Sequence, residues 1–485
     1  MREIWTDTGS GRGRPAARSA RGLIGRSLRC ACASLLALLF LGLGAAPALA
    51  LDPASLVKDI RPGSGNSGPT SLTNAAGTLF FGAKDDTHGV ELWRSDGTAP
   101  GTKLVKDIRP GEGPYGKKSS IPAYLTNVAG TLFFAANDDT HGVELWRSDG
   151  TPAGTKLVKD IYPGGSSSPS FLMNVAGTLF FLADDGTHGT ELWRSDGTAA
   201  GTTLVKDILP GTGNSGPTSL TNVAGTLFFA ANDDTHGREL WKSDGTAVGT
   251  KLVKDIRPGG SSSPAYLTNV AGTLFFAADD GSDGVELWRS DGTAAGTKLV
   301  KDIRPSGSVY GESSRPSYLT NVAGTLFFQA QDGTHGIELW KSDGTAAGTK
   351  LVANIRPGGS SSPVYLTNVA GTLFFQADDG SRGTELWRSD GTLAGTKLVK
   401  DINPGGPSFP GLFTNVAGTL FFQADDGSHG TELWRSDGTA AGTKLVKDIN
   451  PGGASVPYSL TNFAGILFFG ADDGTHGTEL WKATP

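Results

Sequence analysis

The sequence predicts an all-β protein, specifically a β-propeller of nine four-stranded blades, and three observations lead to this prediction. The 485 residues include 71 Gly and 26 Pro, which interrupt any helical pattern every few positions. One unit recurs every 47 to 53 residues after residue 50, a length that suits one propeller blade. Its tryptophans are Trp93, Trp146, Trp193, Trp241, Trp288, Trp340, Trp387, Trp434 and Trp481. The third observation is that one blade is split between the two ends of the repeat region.

Each unit contains four short strands, named a to d in chain order. In the third unit we predict Phe171–Val175, Thr178–Asp184, Thr190–Ser195 and Thr203–Ile208. Ala-Gly between a and b and Ser-Asp-Gly-Thr between c and d are typical hairpin turns, in which Gly takes a positive φ. The Pro-, Gly- and Ser-rich segment after strand d is too long for a tight hairpin. It is typical of the crossover from the outermost strand of one blade to the innermost strand of the next.

The split blade predicts how the ring closes. The repeat region begins with strand d alone, at residues 56–60, and ends just after strand c, at residues 479–481. Pairing of the first strand with the last three completes a ninth blade, whereas an open solenoid needs polar capping repeats instead. Two smaller propellers and an open β-array are the alternative architectures.

Strand c carries a Glu and, after the Trp, a basic residue in every unit, as in Glu91 and Arg94. We interpret these residues as a ladder of structural ion pairs between blades rather than as a binding site.

The recurring Glu-Leu-Trp-Arg-Ser-Asp-Gly-Thr-Ala-Ala-Gly-Thr resembles the motif of the ELWxxDGT-repeat proteins, an exported bacterial family. The resemblance covers residues 51–485. It implies a repeat architecture and export, and it implies no particular reaction.

Residues 1–50 differ from the repeats and are predicted to be a secretory signal peptide. They contain seven arginines, then an apolar run from Leu35, then an Ala-x-Ala site at Ala48 and Ala50. We therefore expect an exported protein, secreted, periplasmic or attached to the cell surface, whose domain at 51–485 does not span a membrane. The net charge of −6 argues against a nucleic-acid partner.

All seven histidines fall at one repeat position, in the b–c turn. They are His88, His141, His188, His236, His335, His429 and His476. Equivalent positions around a ring need not converge on a metal, so we expect turn residues with at most a role in surface contacts.

The crossover before strand a is lengthened twice, which marks a second set of candidate binding residues. These are Tyr115, Lys117 and Lys118 in one crossover and Tyr310 and Arg315 in the other. The d–a and b–c loops of a propeller emerge on the same face, so these residues and the histidines are expected to share one surface.

No catalytic set is assignable, since near-identical copies offer no asymmetric cluster of unlike groups. No cofactor is expected; paired aspartates such as Asp184 and Asp185 match a calcium loop poorly and are better explained as Asx turns.

These observations predict an exported, non-enzymatic protein that presents a repetitive face for multivalent binding to a glycan or a protein surface. The alternatives are an extracellular polysaccharide hydrolase or lyase with its site at the propeller axis, and a structural matrix component.

Overall fold

The computed structural model describes residues 53–485 apart from Tyr115 and residues 306–312. The predicted signal peptide at 1–50 and the candidates Tyr115 and Tyr310 therefore lie outside the described residues. The described residues form nine four-stranded antiparallel sheets and one small hairpin, Glu112–Gly113 with Gly116–Lys117. They contain no helix, and hence no helical segment able to cross a membrane.

The sheets are the nine predicted blades. The a strands are Thr70–Ala75, Ala123–Val128, Ser170–Val175, Thr218–Val223, Ala265–Val270, Ser317–Val322, Val364–Val369, Gly411–Val416 and Tyr458–Phe463. The b strands are Thr78–Asp85, Thr131–Asn137, Thr178–Asp184, Thr226–Asn232, Thr273–Asp279, Thr325–Gln331, Thr372–Asp378, Thr419–Asp425 and Ile466–Asp472. The c strands are Gly89–Ser95, Val143–Ser148, Thr190–Ser195, Arg238–Ser243, Val285–Ser290, Ile337–Ser342, Thr384–Ser389, Thr431–Ser436 and Thr478–Ala483.

The d strands are the outermost and the shortest. They are Lys103–Lys106, Lys156–Lys159, Thr203–Lys206, Lys251–Lys254, Lys298–Lys301, Lys350–Ala353, Lys397–Lys400, Lys444–Lys447 and, for blade nine, Ala54–Lys58. The predicted strand d of the third unit is two residues too long. Strand d ends at Lys206 because the backbone N–H of Ile208 donates to a carboxylate, Glu191 Oε2, at 3.2 Å instead of continuing the ladder.

Ring closure by the first strand is confirmed. Ala54–Lys58 pairs antiparallel with Thr478–Ala483, with Leu56 opposite Trp481. The a strands of neighbouring blades contact one another in sequence around the ring, and strand a of blade nine contacts strand a of blade one. The alternatives of two smaller rings and an open array are excluded by this closure.

The core lies between blades rather than within one central cluster. Strand b is buried on both faces, so its Leu-Phe-Phe run contacts two neighbouring blades. One such layer contains Phe80 of blade one together with Phe134 and Trp146 of blade two. The c–d turn glycine completes this layer: a Cβ on Gly150 would lie 3.2 Å from the Phe80 ring, and its φ of +87° suits Gly alone.

The strand c glutamates join successive blades, but not as the predicted ion-pair ladder. Glu91 is fully buried and accepts hydrogen bonds from Ile108 N at 3.0 Å, Ser120 N at 2.8 Å and Ser120 Oγ at 2.6 Å. The carbonyl of Ser120 in turn accepts from Asn137 N, in strand b of the next blade. The prediction is wrong because the donors are neutral groups of the crossover.

The basic residue after the Trp has a different partner from the predicted one. Lys242 Nζ donates to the carbonyl of Gly292 at 2.7 Å, and Lys482 Nζ donates to that of Gly97 at 2.9 Å. Both acceptors lie in the c–d turn of the following blade. These residues therefore also join adjacent blades, through neutral acceptors.

A lysine at the end of strand d covers the tryptophan of the next blade. Lys301 Nζ, for example, lies 5.9 Å from the ring centroid of Trp340 and donates to the carbonyl of Thr349 at 2.9 Å. Blade six has Ala353 at this position, and Trp387 of blade seven is correspondingly half-buried, while the strand c tryptophans of the other eight blades are buried.

Ala353→Lys is expected to stabilise the protein by about 1 kcal/mol, since it adds a cation–π contact to Trp387 and a hydrogen bond to the next blade. Lys301→Ala, the reverse change at the equivalent position of blade five, should lower stability by a similar amount. Chemical denaturation of the three proteins measures both effects. An unchanged midpoint for Ala353→Lys would contradict this account of the Trp387 environment.

Candidate functional site

The inner strands enclose a channel along the propeller axis. A cavity of about 520 Å³ is lined by the a strands of four successive blades, six to nine. Since the a strands are the inner strands and contact one another in sequence around the ring, a cavity lined by four of them lies on the inner side of the blades. This cavity is the first candidate site.

The second residue of each a strand faces this channel because of a β-bulge. In blade six Ser317 pairs with Gln329 and Thr320 pairs with Phe327, so two residues, Tyr318 and Leu319, oppose one. Tyr318 takes a φ of +55°, a left-handed conformation that costs a residue with a Cβ about 1 kcal/mol or more. A bulge of this kind redirects a side chain, and Tyr318 is 42 % exposed.

The equivalent residues of all nine blades share this positive φ, and we call them the position-two residues. They are Ser71, Tyr124, Phe171, Ser219, Tyr266, Tyr318, Tyr365, Leu412 and Ser459. Five are aromatic and none is charged. Neighbouring rings contact each other, with centroids 6.3 Å apart for Tyr124 and Phe171 and 6.5 Å apart for Tyr266 and Tyr318.

The polar groups behind these rings are already used to hold the inner strands together. Thr320 Oγ1 donates to the carbonyl of Leu366, in the next blade, at 3.2 Å. Asn127 Nδ2 donates to the carbonyl of Asn74, in the preceding blade, at 3.1 Å. The described residues that line the channel cavity are therefore uncharged, and most of them are apolar or aromatic.

Sequence reasoning missed the position-two residues. In an unbulged strand their side chains would follow the ordinary alternation, and no single residue signals the bulge. One signal was available: this position varies between Ser, Tyr, Phe and Leu, whereas the Thr-Asn two residues later is retained in eight of the nine copies.

The described part of the first lengthened crossover lies beside the b–c turn of blade one. A charged cavity of about 530 Å³ is lined by the b–c turn of blade one and by the first long crossover, including Lys117. Lys117 binds Glu112, and Lys118 and Arg109 both bind Asp139. These lysine charges are thus balanced within the protein.

Arg315, in the second long crossover, lines a separate cavity of about 330 Å³ between blades five and six. Tyr266 lines the same cavity, and its ring contacts that of Tyr318 in the channel wall. The structure therefore places Arg315 beside the channel, and it does not place Lys117 or Lys118 in this cavity.

Each of the seven histidines is bound within its own turn. His188 Nδ1 lies 2.8 Å from Asp185 Oδ2, while Asp185 Oδ1 accepts from the backbone N–H groups of Thr187 and His188 at 2.9 Å. The same pair recurs at His88, His141, His236, His335, His429 and His476. The aspartates act as Asx-turn caps, and the described residues contain no group of three or more His, Cys, Asp or Glu placed to hold a metal ion.

Burial and hydrogen bonding shift several carboxyl pKa values in opposite directions. Burial raises the pKa of Glu91, Glu286 and Glu385 to about 7 and raises the pKa of the six other strand c glutamates. In the turns, hydrogen bonds from the histidine and from backbone N–H groups outweigh partial burial and lower the pKa of Asp185 and Asp426 to about 2.

No protein-family model and no curated protein matches the chain. Among solved structures, the chain is similar to puromycin hydrolase, with 15 % identity and a TM-score of 0.38 over 76 % of this chain and 60 % of that one. It is also similar to a structure from a study of two prolyl endopeptidases, with 12 % identity and a TM-score of 0.40 over 73 % of this chain and 54 % of that one. A third similar structure is prolyl oligopeptidase B from Galerina marginata, with 12 % identity and a TM-score of 0.38 over 73 % of this chain and 54 % of that one. The chain spans 54 to 60 % of the length of these structures.

The expectation of a non-enzymatic protein with a multivalent glycan- or protein-binding face is corrected by this finding. The similar structures are those of a hydrolase and of peptidases, and thus of enzymes. Their likeness lies at the level of the fold, and no residue role is taken from them.

The pKa shifts predict maximal stability in mild acid. A glutamate whose folded pKa is raised stabilises the fold below its ordinary pKa and loses this contribution as the pH rises toward 7. An aspartate whose folded pKa is lowered does the opposite and loses its contribution as the pH falls toward 2. The melting temperature should therefore be higher at pH 5 than at pH 8, and lower again at pH 2.5.

A triple variant, Glu91→Gln with Glu286→Gln and Glu385→Gln, serves as the control for this profile. It removes three of the titrating groups and should flatten the decline between pH 5 and pH 8. A decline of unchanged steepness would show that other groups cause it.

Proposed function

We propose that this chain is the substrate-binding propeller of a peptide-hydrolysing enzyme and that its central channel takes up an uncharged, extended peptide segment. The observation that carries the proposal is the ring of exposed position-two aromatics, which face the axis in a left-handed conformation that is unfavourable for residues with a Cβ. Backbone strain repeated in every blade to expose these side chains is more readily explained by a role in binding than by packing.

The chemistry of the wall favours an apolar peptide over a sugar chain. The hydroxyls of Thr320, Thr367 and Thr414 are engaged with backbone carbonyls, which leaves the hydroxyls of Tyr318, Tyr365 and Ser459 as the side-chain polar groups of the cavity wall. An oligosaccharide would bury many hydroxyls that need partners. A peptide rich in Pro, Leu or aromatic residues needs fewer hydrogen-bond partners from the wall. Grooves lined by aromatic side chains bind such segments.

We assign the channel a role in binding the substrate and no role in breaking a bond. The described residues that line the 520 Å³ cavity are Tyr, Phe, Leu, Thr and Ser; they include no acid, no base and no imidazole to activate a nucleophile. A glycosidase would need two carboxyl groups facing the ligand, so the lining does not favour the polysaccharide hydrolase. Under this proposal the wall holds and orients the substrate, and the reacting groups lie outside this cavity.

The test uses substitutions that the repeats themselves tolerate. Tyr318→Ser and Tyr365→Ser introduce the residue that Ser71, Ser219 and Ser459 carry at the same position, so the fold should persist. Each is expected to weaken binding of a neutral, end-blocked Pro- and Leu-containing peptide by about tenfold. This corresponds to the binding free energy of one aromatic contact together with the apolar area that it buries. Calorimetric titration measures the affinity.

Leu393→Ser is the matched control, because Leu393 is 72 % exposed in a c–d turn and does not line the channel cavity. This variant should bind the peptide with unchanged affinity. Peptide binding that is insensitive to both tyrosine variants would contradict the proposal. Preferential binding of a neutral oligosaccharide would favour the polysaccharide-acting enzyme instead, and cleavage assays on both polymers separate the two reactions.

We also propose that the protein is exported by the signal peptide at residues 1–50, which agrees with the resemblance to the ELWxxDGT-repeat proteins. N-terminal sequencing of protein from the periplasm or the medium should give a chain that starts at Leu51. Ala48→Lys places a charge in the Ala-x-Ala site and should leave the leader attached. Retention of the unaltered protein in the cytoplasm would contradict export.

A further inference from the structure

The cavity between blades five and six carries a cation that comes from the crossover before strand a. Arg315 is the one ionisable cation among its described lining residues, which include no carboxylate. Arg315 is an exposed residue. The equivalent residue in the eight other blades is Gly68, Ile121, Ser168, Gly216, Ser263, Ser362, Phe409 or Val456.

A second departure from the repeat removes a negative charge from this cavity. Strand b ends in Asp279 in blade five and in Asp378 in blade seven, where each binds an arginine of a crossover. Blade six has Gln331 instead, and its Nε2 donates to the carbonyl of Ser313 at 3.2 Å. The cavity therefore carries a positive charge that no acid of its described lining balances, which favours an anionic ligand.

A third feature supplies a buried acceptor without a partner. Gln329 Nε2 donates to Ser317 Oγ at 2.7 Å, while Gln329 Oε1 is buried and has no hydrogen-bond partner among the described residues. A buried amide oxygen without a partner costs about 1–3 kcal/mol. A ligand with an N–H donor would remove this cost.

Much of the remaining wall is apolar, and it lies beside the channel wall. Ala265, Ala277, Val285 and Ile337 line the cavity beside Tyr266, whose ring contacts that of Tyr318 in the channel wall. A ligand that fits has a carboxylate, an amide N–H close to it and an apolar side chain. A free peptide C-terminus joins these three groups on one residue.

We propose that this cavity binds the C-terminal residue of a peptide: Arg315 binds the α-carboxylate, Gln329 Oε1 accepts from the amide N–H, and the apolar wall receives the side chain. This inference rests on the proposed function, since it assigns the end of the chain whose preceding residues lie in the channel. It predicts a preference for peptides with a free carboxyl terminus.

The test compares two ligands, N-acetyl-Ala-Leu-Leu as the free acid and as its C-terminal amide, by calorimetric titration at pH 7. The acid should bind at least about tenfold more tightly, the range of a hydrogen bond to a charged group. Arg315→Ser, which introduces the residue of positions 168, 263 and 362, should reduce the affinity for the acid to that for the amide. Gln329→Ala, which copies Ala277 of blade five, should weaken both ligands alike.

Arg382→Ser is the matched control, because Arg382 is an exposed arginine in a b–c turn, paired with Asp379 away from this cavity; the preference for the acid should persist. Equal affinity for acid and amide, or a preference that survives Arg315→Ser, would overturn the inference.

The channel variants separate this inference from the proposed function. If binding is weakened by Tyr318→Ser and Tyr365→Ser but is equal for the acid and the amide, the proposed function stands and the inference is overturned. A preference for the acid that needs Arg315 but neither tyrosine supports the C-terminal site and contradicts the channel proposal. Failure of both peptides to bind contradicts both.

Discussion

The ring depends on a buried carboxyl group that each blade uses to hold the crossover to the next blade. In blade one, Glu91 accepts from Ile108, just after strand d, and from Ser120, and the carbonyl of Ser120 accepts from strand b of blade two. Loss of this carboxyl would leave several buried N–H and O–H groups unsatisfied, at about 1–3 kcal/mol each. The same contact at Glu479 binds Ile60 and Ser67, near the start of the described chain, so one interaction both orders the blades and closes the ring.

This constraint determines where the repeats can differ. Residues packed between two blades, such as Phe134 and Trp146, cannot change in size or shape without disturbing the packing of the adjacent blade. The position-two residues and the outer parts of the crossovers meet no such requirement. Chemical differences between blades are therefore concentrated at the channel wall, as in Tyr318 against Ser219, and at the crossover mouths, as in Arg315 against Ser263. Both candidate sites lie there, where one blade can change without a matching change in its neighbours.

Most of the fold could be predicted from the sequence, because turns and strand lengths depend on local chemistry repeated nine times. The split blade, with its lone strand d at residues 56–60, also predicted the closure. The partners of Glu91 could not be read from the repeat, since its donors come from a crossover whose path is set by tertiary packing. The direction of the Tyr318 side chain could not be predicted either, because it follows from a bulge in the pairing of Ser317 and Thr320 with strand b. Of the candidate residues named beforehand, Arg315 lies beside the channel, whereas the histidines belong to their own turns.

Closure by the first strand also has a kinetic consequence. Among the described strands, Ala54–Lys58 is synthesised first and its partner, Thr478–Ala483, is synthesised last. Each of the other blades can pair its strands from a contiguous stretch of fewer than about 50 residues, while the ninth requires a contact across more than 400 residues. Pairing at such separations is slow, and the waiting strand exposes an unpaired edge. Assembly of the ring should thus end in a late step, after eight blades have formed, that is limited by the encounter of these two distant strands.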